Sequence, residues 1–187
     1  MSAPSVVRLA RIGDEPAIFD FFVLAWNDNG FFPISSKKTI NAIMKACRHE
    51  GVSIGLICDE KGKIEAATGI SLDTYWYTDF YFLSELLNFV HPDHRRSRHA
   101  QALLKFQKDT SDIISTKFGY KVPIFPGILT RTRLEPKMRL FAREFRQVGA
   151  IYAYNADEYM HEDRFTQKKL EFPKKHNGHS PMPTGAA

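Results

Sequence analysis

The chain has 187 residues, of which 43% are apolar and 25% are charged, and these values exclude a disordered or fibrous protein and predict one globular domain. The formal net charge of +5 fits an anionic partner, either a nucleotide cofactor or a nucleic acid, or a merely basic surface. The amino terminus has no signal-peptide pattern, and no apolar run is long enough to cross a bilayer, so we expect a cytoplasmic protein without a membrane partner.

The first half of the chain changes from helical to strand periodicity near residue 51. Asp14 is the expected N-cap of a first helix that carries Pro16 in its first turn and ends at Gly30. Two cysteines, Cys47 and Cys58, lie in apolar patterns and predict neither a disulfide framework nor a zinc cluster. The predicted elements are a strand at 6–10, helices at 14–30 and 35–51, a hairpin of strands 52–58 and 64–70, and a strand at 80–90.

The second half predicts two more helices and two more strands. A helix with apolar residues at helical spacing runs from Ala100 to Phe118, and Gly119 is a suitable stop. The remaining predicted elements are a strand at 122–129, a helix at 134–149 and a strand at 150–154. We expect a single domain over residues 1–164 and a disordered basic tail over 165–187. The order of elements predicts an α/β fold, a mixed sheet with helices on both faces.

A basic loop joins the fourth predicted strand to the third helix. It reads Val90-His-Pro-Asp-His-Arg-Arg-Ser-Arg-His-Ala100 and opens directly into the apolar helix. Unpaired backbone N–H groups and the positive dipole end of a helix suit a pyrophosphate, and the arginines of the loop can add charge-assisted hydrogen bonds. An ordinary basic turn that caps a helix is the alternative.

The spacing of Val90, Pro92, Arg95 and Ala100 resembles the cofactor loop of the GNAT superfamily of acyl-CoA-dependent N-acyltransferases. Residues 139–149 resemble a second GNAT segment, and the resemblance extends over residues 6–155. It implies a mostly antiparallel sheet of six or seven strands that splay apart between the fourth and fifth, with acetyl-CoA or another acyl-CoA as co-substrate. The implied cofactor-binding residues are Asn88, Phe89, Val90, Arg95, Arg96, Ser97, Arg98, His99 and Ala100.

The same resemblance implies a glutamate base on the fourth strand. Glu85 is the nearest carboxylate, although the family position aligns closer to Ser84. A one-residue offset turns a side chain to the other face of a strand, so Glu85 points away unless a bulge intervenes. The alternative is a solvent-facing carboxylate at the end of the sheet. Tyr152, and secondarily Tyr154, is the candidate acid for the leaving thiolate, with core packing as the alternative.

Three positions depart from the family pattern. Phe141 stands where a tyrosine acid is usual, Leu134 where an asparagine is usual, and Arg98 in place of a glycine. These departures motivate a non-catalytic GNAT-fold module as one alternative function. The basic loop and the basic series on the fourth helix, which by default is a solvated face, motivate a DNA-binding or DNA-modifying protein as another.

Several further expectations concern partners and ligands. His91, His94 and His99 are close in sequence, but no cysteine or carboxylate pattern completes a metal site, so none is expected. Residues 73–79, with Tyr75-Trp-Tyr77, either line an acceptor pocket or pack a hairpin. The acceptor is an amine on a small molecule, a protein or a modified nucleic-acid base. A homodimer is possible, and the wording of the two motifs resembles GNAT proteins carried by bacterial viruses, which would place the protein in a host cytoplasm.

Overall fold

The computed structural model describes residues 6–30, 34–127 and 134–149. Within these ranges the sheet has five strands in the order of the chain. The strands are β1 (Arg8–Leu9), β2 (Val52–Cys58), β3 (Ile64–Thr74), β4 (Tyr81–Val90) and β5 (Ile124–Phe125). The helices are α1 (Glu15–Asn29), α2 (Ser36–Cys47), α3 (His99–Phe118) and α4 (Leu134–Glu144), and one 3-10 turn, Pro92–His94, precedes α3.

The sheet is mixed and mostly antiparallel. The first four strands pair antiparallel with their neighbours, and β5 pairs parallel to β4. The α/β class and the mixed sheet are thereby confirmed. The predicted strand at 150–154, with Tyr152 and Tyr154, and the tail at 165–187 lie outside the described residues, so a sixth or seventh strand stays a prediction.

Helices cover both faces of the sheet, as predicted. Ile54 and Leu56 of β2 belong to the core that α1 and α2 form with the sheet, whereas Ile57 packs with Leu103 of α3 on the other face. Gly55 lies on the α3 face, and a Cβ there would come within 2.8 Å of the Phe106 ring, so helix and strand approach too closely for a side chain.

The boundaries of several elements were predicted well because local signals determine them. Ser35 caps α2 by accepting a hydrogen bond from the Lys38 amide, and Gly119 ends α3 in the left-handed conformation with φ of 74°. Asp59 stabilises the turn between β2 and β3 by accepting hydrogen bonds from the amides of Lys61 and Lys63. None of the described helices is both long and apolar enough to span a bilayer.

Asp14 is the N-cap residue of α1, as predicted, but its side chain makes no cap hydrogen bond, because the carboxylate pairs with Arg8 at 2.6 Å. Three local predictions were wrong. Strand β3 continues to Thr74 because β4 pairs with it to that point. Only Ile124–Phe125 of the predicted fifth strand forms in the described part of the chain, since the flanking prolines donate no ladder hydrogen bond. Helix α4 ends at Glu144, five residues before Gly149.

Candidate active site

A β-bulge interrupts β4 and decides which of its side chains face α3. Ile70 of β3 pairs with Glu85 and Gly69 pairs with Leu87, so Leu86 has no opposing residue. The extra residue shifts the alternation of side chains along the strand. Glu85 therefore lies on the same face as Asn88, as the hydrogen bond between the two side chains at 3.5 Å also indicates. The bulge removes the one-residue offset that the sequence left open.

Glu85 is a half-buried carboxylate that faces a polar partner on α3 and not the solvent at the end of the sheet. Its Oε2 accepts a hydrogen bond from Nε2 of Gln107, on α3, at 2.6 Å. Ser84 pairs with Ser71 of β3 and with Phe125 of β5, and consecutive strand residues point to opposite faces, so Ser84 does not share this environment. Of the two candidate bases, the fold places Glu85 beside polar partners on α3.

Thr68 fixes the orientation of the Gln107 amide. The Thr68 hydroxyl donates to the carbonyl of Leu87 at 3.0 Å, so its oxygen is left to accept the hydrogen bond from Gln107 Nε2 at 2.8 Å. Thr68 and Gln107 are completely buried. The NH₂ group of Gln107 thus faces both Thr68 and Glu85, while its Oε1 has no partner among the described residues. We call this series of hydrogen-bonded side chains, Thr68, Gln107 and Glu85, the relay. It ends at Glu85, next to the bulge in β4.

Burial raises the pKa of Glu85 from 4.5 to about 7. Desolvation is the largest cause, because removal from water disfavours the charged form. The hydrogen bonds from Gln107 and Asn88, and more weakly the charge of Lys137, act in the opposite direction. A carboxyl with this pKa exchanges protons near neutral pH, which is the property required of a general base.

The open edge of β4 borders a cavity of about 450 Å³. Strand β5 pairs with β4 only at Leu83 and Ser84, so β4 has no strand partner on this side from Glu85 to Val90 in the described ranges. Residues at the end of α1 and in α4 also line the cavity. Its lining is Ala25, Trp26, Asn29, Gly30, Glu85, Leu86, Leu87, Asn88, Phe89, Val90, Arg95, Ala100, Gly127, Pro136, Lys137, Leu140 and Phe141.

The arginines of the β4–α3 loop differ in their surroundings. Arg95 lines the cavity, is paired with the Asp28 carboxylate of α1, and its guanidinium lies 5.8 Å from the centre of the Phe89 ring. Arg96 and Arg98 are exposed. An arginine already paired with a carboxylate has fewer donors left for an anion, so Arg96 and Arg98 are the better placed phosphate ligands of the three.

The amino terminus of α3 lies at one end of this cavity. Arg98 is the N-cap residue, and Ser97 accepts a hydrogen bond from the His99 amide at 3.1 Å. Amide groups in the first turn of a helix have no intrahelical partner, and Ala100 in that turn lines the cavity. The His99 ring is buried and contacts Glu65 of β3 rather than the cavity. The loop can therefore hold an anion through its backbone and through Arg96 and Arg98.

Sequence reasoning missed two parts of this site. Gln107 was predicted only as a member of an apolar stripe, and nothing local connects it to Glu85, 22 residues earlier. Lys137 was assigned to a solvated basic face, yet it lines the cavity together with Leu140 and Phe141. Leu134 and Met138, which belong to the apolar stripe of the predicted helix, are about half exposed, at 49% and 50%. Tyr152, the predicted acid, lies outside the described residues.

The fold is similar to that of several solved acetyltransferases. AAC(6')-Iy in complex with the bisubstrate analogue CoA-S-monomethyl-acetylneamine has a TM-score of 0.60 at 11% identity, covering 82% of this chain and 98% of that one. A probable acetyltransferase has a TM-score of 0.58 at 15% identity, covering 80% and 95% of the two chains. The ribosomal-protein-alanine N-acetyltransferase from Brucella melitensis biovar Abortus 2308 has a TM-score of 0.56 at 10% identity, covering 81% and 97%.

Sequence comparison adds no relative. No protein-family model matches the chain, and no curated protein matches its sequence. At 10% to 15% identity the structural similarity shows the fold alone, which is that of the GNAT acetyltransferases.

Proposed function

We propose that this protein is an N-acyltransferase that moves an acyl group, with acetyl as the first to test, from CoA to an amine and uses Glu85 as general base. The observation that carries the proposal is the position of Glu85, half-buried at the wall of the cavity with its pKa raised to about 7 by desolvation. An amine is protonated near neutral pH and must lose a proton before it attacks a thioester. A carboxyl with this pKa accepts that proton while remaining readily deprotonated again.

The acyl-CoA lies along the open edge of β4 in this proposal. Backbone groups of Asn88, Phe89 and Val90 pair with the pantetheine amides as a further strand would, since β5 leaves this edge of β4 unpaired. The diphosphate lies at the first turn of α3, where Ser97, His99 and Ala100 contribute backbone groups and Arg96 and Arg98 contribute charge. Arg95, which is paired with Asp28, forms part of the cavity wall between the pantetheine and the diphosphate. A splay between β4 and β5 belongs to this proposal.

The reaction then needs one proton acceptor, a stabilised oxyanion and a leaving thiolate. Glu85 removes the amine proton, directly or through a water molecule, as the nitrogen bonds to the thioester carbon. Collapse of the tetrahedral intermediate breaks the carbon–sulfur bond and releases CoA thiolate, which takes a proton from an acid or from solvent. Phe141 at the cavity wall cannot supply that proton. Tyr152 stays the proposed acid. The Lys137 ammonium, which also lies at the cavity wall, would stabilise the negative charge of the oxyanion and of the leaving thiolate.

Only the chemical class of the acceptor, an amine, can be inferred. The names of two structural neighbours, one bound to an acetylneamine analogue and one acting on alanine of ribosomal proteins, both point to amine acceptors. For this chain the acceptor amine can belong to a small molecule, a protein or a modified nucleic-acid base. A homodimer and a viral source also stay predictions. Among the residues that the structure describes, no specific observation favours DNA binding. A non-catalytic module leaves the raised pKa of Glu85 without a use.

Turnover with acetyl-CoA tests the chemical part of the proposal. Release of free CoA thiol is measured with a panel of small amines, peptides and aminated nucleosides as acceptors. We expect Glu85→Gln to lower kcat/KM by about 100-fold, because the amide is nearly isosteric but accepts no proton at neutral pH. Glu60→Gln, at an exposed turn, is the matched control and should keep full activity. Equal activity of Glu85→Gln and the wild type would exclude Glu85 as the base.

Calorimetry with acetyl-CoA and free CoA tests the cofactor part separately. The double variant Arg96→Ala/Arg98→Ala should bind about tenfold more weakly, because two charge-assisted contacts to phosphate are lost. Arg48→Ala, an exposed arginine at the end of α2, is the control for the loss of positive charge. No detectable binding of either ligand to the wild type would overturn the acyltransferase proposal, and DNA binding as a function of salt concentration would then be measured.

A further inference from the structure

Two histidines of the β4–α3 loop face a carboxylate of β3. One carboxylate oxygen of Glu65 lies 2.8 Å from His99 Nε2, and the other lies 3.5 Å from His94 Nδ1. One atom from each of the three residues lies within 4.8 Å of the other two. His94 belongs to the 3-10 turn and His99 is the first residue of α3, so the fold joins groups 34 positions apart in the chain.

The surroundings hold these three side chains in place. The His91 amide donates to the Glu65 carbonyl at 2.8 Å, which attaches the loop to β3 beside the cluster. The side chains of Glu65, His94 and His99 are 18%, 33% and 11% exposed, so the cluster is mostly shielded but reachable from solvent. His91 is not one of the three, because its Nδ1 accepts the amide of Asp93 at 3.3 Å. The geometry therefore selects two of the three histidines that are close in sequence.

We propose that Glu65, His94 and His99 form a binding site for a divalent transition-metal ion, with Zn²⁺ as the first candidate. Two imidazoles and one carboxylate are donors that suit zinc and its neighbours rather than Mg²⁺ or Ca²⁺, which prefer oxygen ligands alone. Three protein ligands also leave a coordination position for water. This site goes beyond the proposed acyl transfer, and it reverses the sequence expectation that no carboxylate completes a metal site.

The distances are compatible with a bound ion after small side-chain movements. Ligand atoms around a tetrahedral zinc ion with bonds near 2.0–2.1 Å lie about 3.3 Å apart. His94 Nδ1 and His99 Nε2 contact different oxygens of Glu65, at 3.5 Å and 2.8 Å. One ligand atom from each of the three residues lies within 4.8 Å of the other two, so the more distant atoms must move closer to bind one ion. The ion would replace the present hydrogen bond between His99 and Glu65 by two bonds to metal.

An ion at this position would connect the loop to the sheet. It joins β3 to both ends of the segment 94–99, the same segment that carries the exposed Arg96 and Arg98. It would restrict the motion of this segment and add positive charge close to it. Metal binding itself needs no acyl-CoA, so the site is testable without reference to the proposed reaction.

Direct metal binding to the full chain is the decisive experiment. The protein is stripped with a chelator, and Zn²⁺ and Co²⁺ are titrated by calorimetry and by the visible absorption of bound Co²⁺. All proteins carry His161→Gln, His176→Gln and His179→Gln, which removes the remaining histidines near the carboxyl terminus as ligands. We expect one equivalent of Zn²⁺ with micromolar or tighter affinity and a Co²⁺ spectrum of a four- or five-coordinate ion.

Two single variants and one control decide the assignment of the ligands. His94→Ala and Glu65→Gln should each weaken Zn²⁺ binding by about tenfold or more. His49→Asn, at an exposed turn outside the cluster, should leave it unchanged. Zn²⁺ should also raise the Tm of the parent protein but not of His94→Ala. Absence of Zn²⁺ binding to the parent protein, or an affinity in His94→Ala and Glu65→Gln equal to that of the parent, would overturn the proposal and leave a hydrogen-bonded cluster. Neither result would bear on acetyl transfer.

Discussion

Two carboxylates of adjacent strands face helix α3, and their partners differ. Glu85 of β4 receives an amide hydrogen from Gln107 in the middle of the helix, whereas Glu65 of β3 meets the imidazoles of His94 and His99 at its beginning. In the first case burial raises the pKa of the carboxyl to about 7, although its neutral hydrogen-bond donors act in the opposite direction. The second carboxylate has partners that can share a metal ion. In the two proposals, one helix would support proton exchange at one position and metal binding at another.

The two carboxylates are held by different kinds of contact, one with a single short segment and one assembled from distant elements. Glu65 is approached by a loop whose histidines are only five residues apart. Glu85 depends on a bulge at Leu86, on Gln107 and on Thr68, which lie on three different elements. The following predictions test whether these neutral partners control the proton on Glu85.

Replacement of Gln107 by leucine should have the largest effect on the pH profile. Gln107 donates to Glu85 and lowers its pKa against the effect of burial, so its loss should raise the pKa of Glu85 further above 7. The acidic limb of kcat/KM would move to higher pH, and activity at pH 7 would fall about tenfold for each unit of that shift. A ¹³C NMR titration of the Glu85 carboxyl measures the same change without turnover. An unchanged profile in a folded variant would show that Gln107 has only a structural role.

Thr68→Val should change the profile in the same direction but less. Valine leaves Gln107 in place but provides no acceptor for its amide, so the orientation of Gln107 is no longer fixed. Thr68→Ser keeps the hydroxyl and is the matched control, which should restore the wild-type profile. A loss of activity in both variants with equal pH profiles would contradict the relay.

The stability of the protein should depend on the charge of Glu85. The folded chain keeps a proton on Glu85 up to about pH 7, whereas the unfolded chain releases it near 4.5, so wild-type stability falls as pH rises between these values. Glu85→Gln should therefore be more stable than the wild type at pH 8, by about 3 kcal/mol, and similar to it at pH 4. Urea denaturation at both pH values measures the difference. Greater stability of the variant at pH 4 than at pH 8, relative to the wild type, would reverse the sign and contradict a raised pKa.

The smallest effect is expected for Lys137→Met. Its charge is the weakest of the influences that lower the pKa of Glu85, so methionine should raise that pKa only slightly. The acidic limb should move by less than it does in Gln107→Leu, while turnover decreases if the ammonium also stabilises the leaving thiolate. Arg143→Met, on the exposed side of the same helix, is the control for the loss of one positive charge. A larger shift than in Gln107→Leu would show that the charge and not the hydrogen bond dominates.

The sequence by itself determined most of the elements and the position of the basic loop between β4 and α3. The cap of α2 at Ser35, the stop of α3 at Gly119 and the turn around Asp59 depend on local hydrogen bonds and on backbone conformation, which neighbouring residues encode. The order of helices and strands followed from the change of hydrophobic period, and the GNAT resemblance followed from the spacing of residues 90–100. Asp14 shows the limit of such signals, because Arg8 competes successfully for its carboxylate.

Only the tertiary structure decided which side chains meet. The choice between Ser84 and Glu85 depended on a bulge, which arises from pairing with β3 and leaves no local mark in the strand. Gln107 reaches Glu85 across 22 residues, and Glu65 reaches His99 across 34, so neither contact follows from spacing. Lys137 of α4 lines the cavity, a position that the periodicity of the helix did not predict. Local hydrogen bonding fixes where elements begin and end, whereas packing between distant segments fixes the chemistry of the site.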